Sequence, residues 1–243
     1  MTRPSQPAWS FGRARGRTVL GLWYRRPAGK PLQSRTLSHV PHRFVALLVL
    51  ACLVGAACSP PAFDPSGPCV SDGRVAGAYP DLEDLVPAAL DGRAANRLDS
   101  GRSCSERSLG SLIAAGVREL RFAGGLWERG SRSGTTLAVF RGGGLTADAL
   151  ATWYESGARS DTSAEDVEVI PQTIAGVIGR RIDSLVETSS FQSVIVWDAP
   201  STDTVRVILV ATDIREQSRE VHEQGLDAGL VAWLGSLPPR PAG

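Results

Sequence analysis

From Tyr79 onward, apolar and polar positions alternate in short runs bounded by turn-forming residues. Thr135–Arg141 (TTLAVFR) and Thr204–Ala211 (TVRVILVA) are rich in β-branched and apolar side chains, as half- or fully buried strands are. Arg118–Phe122 and Ser193–Asp198 read the same way. Between these runs the apolar period changes to that of helices. Ser105–Ala115 forms a helical patch, and Thr146–Ser156 a clearer helix. Thr146 is its expected N-cap, Leu145 and Leu150 form a staple across that cap, and Gly157 is the expected stop. A last helix is expected to start at Asp213, where Glu216 completes a capping box. Gly225 should interrupt it, and a second amphipathic segment (Leu226, Leu230, Trp233, Leu234) should follow.

The pattern also repeats. Val86–Ser100 aligns with Ile170–Ser184 at an offset of 84 residues, with Pro, Gly, Arg, Asp and Ser coinciding. Each copy opens as a strand, a Gly-centred turn (Asp91-Gly92, Ala175-Gly176) and a second strand, which is a hairpin signal. The proline near the start of each first strand fits a strand beginning or a sheet edge. Two strand runs and a helix follow each hairpin. The sequence therefore predicts an α+β fold, a mostly antiparallel sheet with helices packed on it, built from two ββ(α)ββα repeats. The expected domain covers residues 79–237, with copies at about 79–160 and 163–237 and a tail at 238–243. About 160 residues suffice for one sizeable core.

Upstream of that domain the chemistry is different. Phe44–Cys58 reads FVALLVLACLVGAAC, preceded by Arg43 and ending in Gly55, Ala56 and Ala57 before the cysteine. A positive end, an apolar middle and a small-residue exit are the layout of a secretory signal. Fourteen helical residues reach about 21 Å, short of the roughly 30 Å of bilayer hydrocarbon. A cleavable signal with its h-region at residues 44–57 thus fits better than an uncleaved anchor or a buried core helix. Small residues followed directly by Cys58 resemble the lipobox of bacterial lipoproteins. That resemblance implies acylation of the Cys58 sulfur, cleavage before it, and retention on the outer face of the membrane. Cys52 is the weaker alternative, because cleavage there leaves only eight apolar residues after Arg43. The motif Asp81-Leu82-Glu83-Asp84-Leu85-Val86-Pro87 at the start of the domain resembles uncharacterised secreted proteins and lipoproteins of high-GC bacteria. This second resemblance implies a fold and a compartment but carries no catalytic residue.

Charge divides the chain at the same place. Residues 1–43 hold eight arginines and Lys30 with no acid, whereas the part after Cys58 has 17 Arg, no Lys and 25 acids. A basic leader stays on the cytoplasmic side while the remainder crosses. The acidic exported part argues against nucleic acid as a partner. The Arg-, Pro-, Gly- and Ser-rich leader has a disordered composition, and a translation start near Leu37 or Val40 would explain its length. Residues 58–78, Pro-, Gly- and Ser-rich, read as a lipidated tether holding the domain off the bilayer. Cys69 and Cys104 are the remaining pair and, in an oxidising compartment, are expected to form a disulfide.

Candidate chemistry is sparse. Arg141-Gly142-Gly143-Gly144 lies between a strand and a helix, where backbone N–H groups and Arg141 could cradle an anion, but the Lys-Ser/Thr of a nucleotide loop is missing. The exported part contains one histidine, His222, in a Glu- and Arg-rich helix, and without a GxSxG motif it reads as a solvated surface residue. The carboxylate pairs Glu83/Asp84 and Glu165/Asp166 lack calcium-loop spacing. No metal site or cofactor is expected. Trp127 and Trp197 end comparable strands and either flank a ligand cleft or anchor the core; Trp153 and Trp233 lie on apolar helix stripes as core. The expectation is a non-enzymatic, lipid-anchored, extracytoplasmic protein that binds an unknown small molecule or envelope protein. A hydrolase remains as the alternative, to be favoured if His222 meets a buried serine.

Overall fold

The computed structural model describes residues 63–130 and 132–235; the leader, the apolar run, Cys52 and Cys58 lie outside them. Ten strands occur in chain order: β1 (Gly73–Val75), β2 (Ala89–Leu90), β3 (Arg93–Ala94), β4 (Arg97–Ser103), β5 (Leu120–Glu128), β6 (Gly134–Arg141), β7 (Ala164–Ile174), β8 (Val177–Val186), β9 (Ser190–Ala199) and β10 (Thr204–Asp213). The helices are α1 (Pro80–Glu83), α2 (Glu106–Leu109, continued by a 3₁₀ turn at Gly110–Ile113), α3 (Ala147–Ser160) and α4 (Arg219–Gly235). Eight strands form one antiparallel sheet in the order β1-β4-β5-β6-β10-β9-β8-β7, and β2 pairs with β3 apart from it. The fold is α+β, as the strand and helix runs predict. No described helix is long and apolar enough to cross a membrane.

Alternation along the central strands explains why both sheet faces are covered. Val205, Val207 and Leu209 of β10 point to one face, with Ala138, Phe140, Val194 and Val196. Leu150 and Ala151 of α3 and Leu112 of the 3₁₀ turn cover that face. Ile208 and Val210 point to the other, with Leu137, Val139, Ile195 and Trp197, under Leu226 and Trp233 of α4 and Leu82 of α1. Strands buried on both faces read as continuous apolar runs, which is the VRVILVA pattern.

Both expected hairpin turns are present. Asp91-Gly92 and Ala175-Gly176 all take positive φ, the two-residue geometry that matches strand twist. Pro171 sits within β7, but β7 is the outermost strand, where a missing N–H costs no ladder bond. The same edge carries a bulge between Glu165 and Glu168, and these acids with Pro171 discourage pairing by a second chain. The meanders β4-β5-β6 and β8-β9-β10 have the same layout, yet α3 and α4 pack on opposite faces. A rotation that superposes the meanders therefore leaves their helices on opposite sides.

Several local expectations need correction. Asp213 ends β10 and starts only a turn; α4 begins at Arg219, with Ser218 Oγ accepting from Val221 N at 3.4 Å. Gly225 does not interrupt α4. A Cβ there would fall on the Arg129 guanidinium, so Gly225 leaves room for that side chain. One at Gly229 would meet Ile208 of β10 at 2.9 Å, so Gly229 lets the helix lie close to the sheet. Thr146 does cap α3, accepting from Ala149 N at 3.2 Å, but the helix runs past Gly157 to Ser160.

The expected tether is attached from Phe63 onward. Arg102 of β4, 3 % exposed, donates to the carbonyls of Gly67 (2.6 Å), Asp64 (2.9 Å), Pro68 (2.9 Å) and Pro65 (3.4 Å). Its guanidinium also lies over the Phe63 ring. Cys69 and Cys104 stand at disulfide distance, with Cα atoms 5.4 Å apart. Strand β1 then adds to the sheet edge.

Candidate functional site

A polar cluster that opens onto a cavity lies where α4 crosses the ends of β8 and β9. Alternation on β9 puts Phe191 and Ser193 on the α4 face, in line with Ile195 and Trp197. Asp183 of β8 is directly opposite Ser193 in the ladder. The buried stripe of α4 runs His222, Gly225, Leu226, Gly229, Trp233, so its helical period delivers His222 to the same spot. The cavity is about 130 Å³ and is lined by Asp166, Glu168, Asp183, Phe191, Arg219 and His222, with Ser193 at its base.

His222 is 2 % exposed, which corrects the expectation of a solvated surface residue. Its Nε2 lies 2.7 Å from Ser193 Oγ and its Nδ1 3.0 Å from Thr212 Oγ1. Ser193 Oγ also bonds Asp183 Oδ1. Asp183 is paired with Arg181 Nε at 2.8 Å, and a carboxylate can only accept. Ser193 must then donate to Asp183 and accept from His222 Nε2–H. It follows that Nδ1 accepts from the Thr212 hydroxyl. The relay runs Thr212 to His222 to Ser193 to Asp183, every donor matched to an acceptor. Desolvation pushes the His222 pKa down to about 4, so the imidazole is neutral at pH 7.

This arrangement resembles a nucleophile–base pair in distance but differs in proton placement. A histidine that donates to a serine cannot take that serine's proton; here Asp183 is the acceptor. Arg181 extends the network outward through a two-pronged pair with Glu223, at 2.8 and 2.7 Å. That pair holds the Glu223 carboxyl below its ordinary range. Arg219 covers the Phe191 ring at 4.9 Å.

Of the residues singled out from the sequence, His222 and Asp166 line this cavity, whereas the tryptophans and Arg141 lie elsewhere. Trp127 and Trp197 are buried in the core on the α4 face, so they anchor packing and do not flank a cleft. Trp127 Nε1 donates to the Arg93 carbonyl at 2.8 Å, and Trp197 meets Trp233 edge-on at 6.1 Å. Arg141 is paired with Asp81 at 2.6 Å, while Asp198 Oδ1 already accepts from Ala147 N in the first turn of α3. The Arg141 charge that the expected cradle would use is thus shared with Asp81, and Asp198 holds the first turn of the helix that follows. Among the described residues no cluster of His, Cys, Asp and Glu could hold a metal ion. The sequence signal for the real cluster was the spacing His222–Gly225–Leu226–Gly229–Trp233, in which the glycines mark the buried side.

No protein-family model matches the chain, and no curated protein matches it either.

Proposed function

We propose that this protein is a lipid-anchored, extracytoplasmic interaction module of a bacterial cell envelope, without enzymatic activity of its own. The observation that carries the reading is the pairing of the Phe44–Cys58 export pattern with Cys69 and Cys104 at disulfide distance in the exported part. Disulfides persist in oxidising compartments, so two independent features favour the same address. Partner choice follows from size. The cavity of about 130 Å³ is well below the roughly 300–1,000 Å³ of drug-sized ligand sites. An envelope protein therefore fits better than an enclosed small molecule. Wild-type protein is expected to partition into the detergent phase with the mass of a chain beginning at acylated Cys58, and Cys58→Ala into the aqueous phase. An intact basic leader with an unmodified thiol at position 58 would refute the reading.

The contact of His222 with buried Ser193 favours a second reading, an envelope hydrolase acting at the cavity. It requires Ser193 to pass its proton to Asp183 as Oγ attacks an ester or amide carbonyl. The departing alcohol or amine must then take that proton, and water must release the acyl group from Oγ. A fluorophosphonate probe separates the two: labelling of wild type that Ser193→Ala abolishes supports the hydrolase, and the interaction module predicts no adduct.

A further inference from the structure

The arm that reaches the proposed anchor is held fast, and this determines which side of the molecule meets the membrane. Resting on the reading of Cys58 as the lipid-bearing residue, we infer that the β1 edge of the sheet is seated on the lipid surface, with Val70 and Val75 as its apolar contacts. Three observations lead there.

Chain length is the first. Phe63 is the first described residue and is already fastened: its ring packs on Gly73 of β1, whose Cβ position it occupies, and lies under the Arg102 guanidinium. Only four residues, and so five Cα–Cα steps, separate Cys58 from Phe63. Fully extended they span at most about 18 Å, so a membrane-inserted acyl group keeps Phe63 within that distance of the bilayer. A free tether running to residue 78 would have allowed any orientation; the bound arm does not.

The second is the chemistry of that edge. Val70 is 79 % exposed and Val75 52 % exposed, and both lie on the segment that runs from the arm through β1. Val70 directly follows Cys69 and Val75 ends β1, and the bond of Cys69 to Cys104 ties the segment to the end of β4. Exposed valines on a rigid, covalently fixed edge are poorly placed in water and well placed at a headgroup boundary.

Sheet geometry is the third. β1 and β7 are the opposite edges of eight strands, and seven inter-strand steps of about 4.8 Å put them about 34 Å apart. Seating β1 on the bilayer directs β7 and the β7–β8 turn away from it. The cavity, lined by residues of β7, β8, β9 and α4, then faces outward to partners. The result is a sheet standing on its β1 edge.

The test uses full-length protein purified from membranes and reconstituted into phosphatidylethanolamine–phosphatidylglycerol vesicles containing a headgroup spin-labelled lipid. A thiol-reactive fluorophore is placed at Val75→Cys or, as the distal position, at Ile178→Cys beside the β7–β8 turn. Strong quenching at position 75, at least threefold greater than at 178, is expected. Insertion of ten Gly/Ser residues between Pro61 and Ala62, which leaves the arm contacts intact, should remove the difference while the protein stays vesicle-bound. Equal quenching at the two positions in vesicle-bound protein overturns the orientation and leaves the lipid anchor standing. Failure to bind vesicles with an unmodified Cys58 overturns both.

Discussion

Arg102→Ala is expected to lower stability by about 3–5 kcal/mol, which in a domain of this size is a drop in Tm of about 10 °C. The buried guanidinium donates to four carbonyls of the arm, and hydrogen bonds from a charged donor contribute about 1.5–3 kcal/mol each. The sum is discounted because carbonyls on a released arm regain water. Phe63 loses its cation–π partner at the same time. The disulfide keeps Cys69 beside Cys104, so detachment is confined to the chain before it. Lysine at 102 should recover little, since a single ammonium cannot present the planar fork that reaches carbonyls on both sides. Scanning calorimetry gives the Tm, and fast amide exchange at Gly67, whose N–H bonds Asp64 O in the folded arm, reports the detachment itself. A Tm change below 2 °C would show that the arm is not held through Arg102.

The same residue illustrates what sequence could and could not convey. Strands β6, β9 and β10 were legible because burial on both faces demands β-branched and apolar runs. Strand β5 was read only over Arg118–Phe122, because its continuation through Ala123-Gly124-Gly125 to Glu128 has no β-branched residue. The two hairpin turns were legible because only a Gly-containing pair takes two positive φ values cheaply. Residues 63–77 were misread because their composition, Pro-, Gly- and Ser-rich, is the same whether the chain is solvated or fastened. The difference lies in Arg102, forty residues away, and nothing local announces that its guanidinium turns inward. Asp213–Glu216 carried a true capping signature, and the Asp213 carboxylate does accept from Arg215 N at 3.0 Å while pairing with the Arg215 and Arg132 guanidiniums. What it caps is a single turn, and α4 starts only at Arg219. His222 was hidden by its neighbours: Glu220, Glu223 and Arg219 suggest a wet helix, while Gly225 and Gly229 on the opposite reading mark the face against the sheet. Charge density outweighed glycine spacing in the sequence; packing reverses that order in the fold.

His222 also gives the protein a pH dependence that can be read without ambiguity. In the unfolded chain its imidazole titrates near 6.5, and in the folded protein desolvation lowers this to about 4. Arg181 and Arg129 oppose the protonated form, while Glu223 and Asp183 favour it only partly. As pH falls from 6.5 toward 4 the unfolded state binds a proton that the folded state refuses, so stability declines across that window. Two and a half units correspond to about 3 kcal/mol. No other histidine follows Cys58. Glu223, held low first by its hydrogen bonds to Arg181, contributes stability that is lost only at more acid pH, as its folded carboxyl protonates. Asp99, whose carboxyl pKa is raised by burial, acts in the opposite sense as pH falls, so a decline between pH 6.5 and 5 belongs to His222. Urea titrations of wild type are expected to show a midpoint falling steadily over this range. His222→Gln, with a neutral amide in place of the imidazole, should start lower at pH 7 and stay level down to pH 5. A flat wild-type profile between pH 6.5 and 5 would mean that the imidazole is not enclosed between Ser193 and Thr212, and the relay assigned to the cavity would fall with it.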